Sequence, residues 1–96
     1  MALYVVKHQH KAETCPAKDP KMGAMLLMHI SKPNAAKMGV NIIGDAVVDG
    51  QHTFYIICEA TSQAAVQGFM TPFSQAGSVE ILPSSSCEKV VANRGC

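Results

Sequence analysis

The chain has no tryptophan, and Phe and Tyr together make up only 5% of its 96 residues. A stacking platform for single-stranded RNA or DNA needs more exposed aromatics than three Phe and two Tyr supply. Lys and Arg form no run and the formal net charge is +1, so the basic patch that nucleic acid or an anionic membrane requires is missing. No apolar run reaches the roughly 20 residues of a membrane span. No secretory start precedes the first strand, and a cytoplasmic location is the expectation. The four Cys, at positions 15, 58, 87 and 96, contain no C-x-x-C pair, which excludes a zinc ribbon or a thioredoxin-type motif. They are also too few for a disulfide scaffold.

Hydrophobic residues are abundant, at 48% against 16% charged, so a core of aliphatic side chains and Met is affordable. The length suits one domain over residues 1–96, with a core over 3–83 and a tail over 84–96.

Leu3 to Gln9 is short and rich in β-branched residues, which predicts a strand. Asp19-Pro20 is a helix start, since Asp caps free amides and Pro suits the first turn. Met22, Met25, Leu26, His29 and Ile30 then recur at helical spacing, and Pro33 ends the helix near Ser31. Val40 to Val48 is a second strand interrupted by Gly44. Asp49-Gly50 signals a hairpin into a third strand from His52 to Ala60. That strand is apolar on both faces, so both faces need cover. Thr61 or Ser62 caps a second helix striped by Val66, Phe69, Met70 and Phe73, which Pro72 should kink or restart. Gly77 ends it, Ser78 to Leu82 is a fourth strand, and Ser85-x-x-Glu88 predicts a capped terminal helix over 87–93.

The fold class is therefore α+β, a ferredoxin-like βαββαβ unit. Right-handed crossovers give an antiparallel sheet in the order 4-1-3-2, with both helices on one face. The opposite face is then open. A second copy of the sheet is its simplest cover, which makes the chain its own partner as a homodimer or higher oligomer.

Three segments carry a family likeness: Gly44-Asp45-Ala46-Val47-Val48-Asp49-Gly50, then Phe54 through Ala60, and finally Gly77-Ser78-Val79-Glu80 after the capped helix. In this pattern, which spans most of residues 3–83, the chain resembles the dimeric α/β-barrel superfamily, including the GYD-type domains and the antibiotic-biosynthesis monooxygenases. The resemblance implies the fold and the dimer. It leaves activity open, since members include cofactor-free oxygenases, isomerases, haem enzymes and metal-binding proteins.

The chemistry-bearing feature is His8-x-His10. Residues i and i+2 of a strand share a face, about 6.5–7 Å apart along the chain. The predicted topology sets the end of the first strand beside the start of the third, which brings His52 near. If His10 lies opposite His52, their Cβ atoms are about 5 Å apart. Cys15 follows in the adjoining loop. The candidate ligands are thus His8, His10, His52 and Cys15, and imidazole with thiolate suits Zn, Fe, Ni or Cu. A register slip would send His52 to the other face, leaving ordinary solvated histidines. Cys15 is alternatively a nucleophile beside an imidazole. Cys58 reads as a core residue, Met22 and Met25 as core filler, and His29 as a histidine at the far end of the sheet from His8. Asp45, Glu59 and Glu80 alternate with apolar residues and are candidate bases if buried, though such residues more often mark a wet face. A metal-binding homodimer leads, followed by a metal-free small-molecule barrel and then a dimerisation module without chemistry.

Overall fold

The computed structural model describes residues 1–96. Four strands, β1 (Ala2–His10), β2 (Val40–Val48), β3 (Thr53–Ala60) and β4 (Gly77–Ser84), form one antiparallel sheet in the order β2-β3-β1-β4. That is the expected 4-1-3-2 arrangement. Four α-helices accompany it: α1 (Pro20–His29), α2 (Lys32–Lys37), α3 (Gln63–Ser74) and α4 (Cys87–Ala92). Two single 3-10 turns, Ala12–Thr14 and Pro16–Lys18, bridge β1 to α1.

The caps explain where the helices begin. The Asp19 carboxylate accepts from the Lys21 amide at 2.9 Å, with Pro20 in the first turn. The Ser62 hydroxyl accepts from Ala65 N–H at the start of α3. The terminal helix is capped by Ser86, which accepts from Lys89 N–H, one residue later than the expected Ser85. Pro33 ends the first helix as expected, and it also sits in the first turn of α2, a short helix that apolar periodicity alone did not reveal. α3 runs through Pro72 rather than restarting there. Pro72 lies in the last turn, only two residues from the helix end, so the single bond its missing amide would have made to the Gly68 carbonyl is lost where no long helix follows to be broken.

The core lies on one face of the sheet. Tyr4 and Val6 of β1 and Phe54, Ile56, Cys58 and Ala60 of β3 meet Val66, Phe69, Met70 and Phe73 of α3. Removing such aliphatic and aromatic surface from water contributes about 25 cal/mol per Å² buried. β2 enters the core through Val40 and Ile42, then bulges between Ile42 and Gly44. The bulge shifts its pairing with β3 by one residue.

α1 contributes less than its periodicity suggests. None of its residues is fully buried, and only Leu26 and the following Ile30 pack against the core. Met22 and Met25, expected as core filler, are 48% and 60% exposed. The helix spans a hollow instead of a packed layer.

The opposite sheet face is open. Val5 pairs with Ile57 on one side and Leu82 on the other, so the three form an apolar row across the sheet. Ile57 and Leu82 are each 44% exposed. The double apolar pattern of β3 is thus not matched by cover on both faces within one chain. The shape follows: the molecule is a slab of 45 × 29 × 18 Å with a radius of gyration of 14.1 Å, above the roughly 12.5 Å of an equidimensional domain of this length.

Candidate metal centre

Strand pairing decides where the histidines go. β1 and β3 pair Gln9 with Thr53, and the ladder continues one step as His10 N–H donates to the His52 carbonyl at 3.0 Å. His10 therefore lies opposite His52. His52 is not the first residue of β3, as its position suggested. It closes the hairpin turn with φ 49°, a left-handed conformation in which His is found more readily than most side chains. Gly50, at φ 73°, supplies the other left-handed position of that turn. The two rings stand 5.4 Å apart, edge to face.

Cys15 arrives from the turn that follows β1. It separates the two 3-10 turns and is half-buried. One ligand atom each from His10, Cys15 and His52 lies within 4.8 Å of the other two. These residues share a hollow of about 240 Å³ whose other walls include Leu26, Val47 and Phe54.

His10 is electrostatically unusual. Both of its ring nitrogens are shielded from solvent and neither has a hydrogen-bond partner. A neutral imidazole carries one N–H and one lone pair, so one donor and one acceptor are left unmet. Such groups are normally satisfied, and an exception calls for an ion, a water or a function. Desolvation, with a smaller contribution from His52, holds the His10 pKa below its ordinary 6.5. The ring is thereby kept in the neutral form that coordinates metals.

His8, the other expected imidazole, is not in that group of three. Its ring centroid is 5.2 Å from that of His10, but its Nδ1–H donates to the Ser78 carbonyl at 3.0 Å. It is only 2% exposed and packs against Phe54 and Phe73. Burial first and then His10 lower its pKa, while the Ser78 bond opposes them. His29 lies on the same side of the molecule as His8, not at the far end of the sheet. Both rings contact Phe73, at 5.4 and 5.5 Å. The end of α1 lies against α3, where His29 stacks on Phe69 and bonds its carbonyl, and that brings it to the Phe73 ring that His8 also meets.

Cys58 is a core residue, 1% exposed, and burial pushes its thiol pKa up. Cys87 and Cys96 are exposed and belong to no cluster. Asp45 and Glu80 sit at exposed strand positions, and the half-buried Glu59 accepts from the Asn41 side-chain amide. None of the three is a buried base. One requirement escaped sequence reasoning altogether. Gly77 pairs with His10 across β1 and β4, and a Cβ there would overlap the Gln9 carbonyl oxygen. A glycine that begins a strand was the only signal available.

Comparison with known proteins adds a family to this geometry. The model of a domain of unknown function, DUF3303, matches residues 2–94. The chain belongs to the DUF3303 family. No curated protein and no solved structure matches it. Membership in DUF3303 assigns no activity. No helix is long and apolar enough to cross a membrane.

Proposed function

We propose that this DUF3303 domain binds a borderline transition metal ion, Zn, Fe, Ni or Cu, through His10, His52 and the Cys15 thiolate. The observation that carries this reading is the pair of shielded, unpartnered nitrogens on His10, beside a second imidazole and a thiol. An ion satisfies one of those nitrogens directly. Two nitrogens and a sulfur are a donor set for these metals, whereas Mg and Ca take oxygen. Ligand atoms around one tetrahedral zinc are roughly 3.3–3.7 Å apart, so the apo group contracts by side-chain rotation on loading. Cys15 sits between two short turns, where such movement is cheap.

Three protein ligands leave a fourth position free. The three ligands line the hollow walled by Leu26, Val47 and Phe54, so a small molecule held there would be within reach of the ion. An open position of this kind is the pattern of a metal that polarises or binds a small molecule, while four protein ligands mark a structural site. Coordination by Cys15 needs a reduced thiol, which a reducing compartment such as the cytoplasm would favour.

The test is uptake by untagged protein. Cobalt(II) loading should produce a thiolate charge-transfer band that zinc displaces and that Cys15→Ser removes. His10→Ala and His52→Ala should each abolish saturable zinc binding in calorimetry while leaving the circular dichroism unchanged. If the wild-type chain shows no saturable uptake of any of the four metals after reconstitution, the reading is wrong.

The domain also acts as a homodimer in this reading. The open row of Val5, Ile57 and Leu82 and the slab shape support it, because a row this apolar on a flat face is what a second sheet covers. The likeness to GYD-type and antibiotic-biosynthesis-monooxygenase domains, which implies such pairing, points the same way. Sedimentation should give twice the chain mass, and Ile57→Lys should give the monomer. A monomeric wild type at high concentration would remove the dimer from the proposal without touching the metal site.

A further inference from the structure

A second hollow, of about 260 Å³, lies between α1, the end of α3 and β1. Met22, Met25, Leu26 and Phe73 give it apolar walls, and no charged residue lines it. Its polar groups are His8, His29 and Thr14, and their hydrogen bonds constrain what they can offer. His8 Nδ1–H is committed to the Ser78 carbonyl at 3.0 Å, and His29 Nε2–H to the Phe69 carbonyl at 2.7 Å. The Thr14 hydroxyl donates to the carbonyls of Lys11 and Ala76. Every side-chain donor in the wall therefore has an acceptor already. In the neutral rings, what remains is the second nitrogen of each imidazole, a lone pair.

From this we infer that the hollow binds a compact, uncharged aromatic molecule bearing a single N–H or O–H donor, with the ring between Met25, Leu26 and Phe73 and the donor on His8 Nε2. Size sets the first part, since the volume falls below the roughly 300–1,000 Å³ of sites that hold drug-sized ligands. The apolar wall sets the second, because a charged ligand would lose its hydration with no counter-ion in return. The acceptor-only polar inventory sets the third: a ligand donor satisfies His8, whereas a ligand acceptor meets a lone pair. Met22 and Met25, about half exposed, form the mouth. Their flexible thioethers can fold over an aromatic edge. This site stands independently of the metal centre. His8 is outside the group of His10, Cys15 and His52, and its ring nitrogen bonds Ser78 instead.

Indole is a suitable probe because the chain contains no Trp, so indole emission reports binding directly. The titration is run in chelator, so its outcome does not depend on metal. Indole should bind saturably, with its emission shifted to the blue. 1-Methylindole keeps the ring and lacks the donor, so it should bind about tenfold more weakly, the effect of one unmade buried hydrogen bond. His8→Phe, checked for folding by circular dichroism, should weaken indole binding by a similar factor and erase the difference between the two probes. The comparison of probes on the wild-type chain needs no variant to fold. No saturable binding of indole overturns the inference. So does equal affinity for the two probes, or a folded His8→Phe chain that still distinguishes them.

Discussion

Replacing His10 by Phe should make the metal-free protein more stable and the metal-loaded comparison reverse. The ring of His10 lies beside those of His8 and His52, so a phenyl ring of similar shape fills the same space. The wild-type ring holds one buried N–H and one buried lone pair without partners. Leaving a buried polar group unsatisfied costs about 1–3 kcal/mol, and exchanging it for an apolar group of the same shape recovers that cost. His10 as a whole is half-exposed, so the lower end, about 1 kcal/mol, is the expected gain. For a domain of this size that raises the melting temperature by about 4–8 °C. Zinc at a hundred times its dissociation constant adds about 2.7 kcal/mol to the wild type and nothing to His10→Phe. Thermal unfolding of both proteins, with chelator and with zinc, measures all four values. A variant less stable than the apo wild type would mean that the His10 nitrogens do have partners in solution. A variant that keeps the zinc shift would mean that His10 is not a ligand. Either result refutes the reasoning.

The other predictions concern pH, backbone and thiols. His8 and His10 both have pKa values held below 6.5. The unfolded chain therefore takes up protons first as pH falls, so apo stability should be full above pH 6.5 and decline below it toward the lowered values. His8→Phe and His10→Phe should each flatten that decline, as followed by denaturant midpoint against pH. Gly77→Ala should destabilise the fold by about 1–3 kcal/mol or more, because the added methyl meets the backbone of Gln9 and His10 rather than a movable side chain; it should weaken zinc binding as well, and unchanged values for both would contradict the packing at that edge. Iodoacetamide should modify Cys15, Cys87 and Cys96 readily and spare Cys58, whose burial both hides the thiol and disfavours the thiolate. Zinc should protect Cys15 alone, as peptide mapping will show.

Much of this architecture is written locally. Asp19-Pro20 and Ser62 mark helix starts because a side-chain oxygen beside free amides is a short-range device. Asp49-Gly50 marks the hairpin because positive φ is open to few residues. The β-branched run from Leu3 to Gln9 marks β1, although which of its faces is buried came only from the structure. From those elements and the right-handed crossover rule, the strand order follows without any tertiary information. Local rules thus reach as far as the strand order, the end of the sheet near which His8, His10, His52 and Cys15 fall, and the burial of Cys58.

Tertiary structure decided everything that hangs on a register, an angle or a hydrogen bond between distant residues. The one-step continuation of the β1–β3 ladder put His10 opposite His52, where a slip of one residue would have parted them. A carbonyl seventy residues away, at Ser78, fixed one nitrogen of His8 as a donor and left it out of the group that gathers around Cys15. The docking of α1 against α3 brought His29 to the same hollow as His8 and left Met22 and Met25 at its mouth instead of in the core. Helical spacing tells which residues share a face, but only the packing of one element on another tells what that face meets.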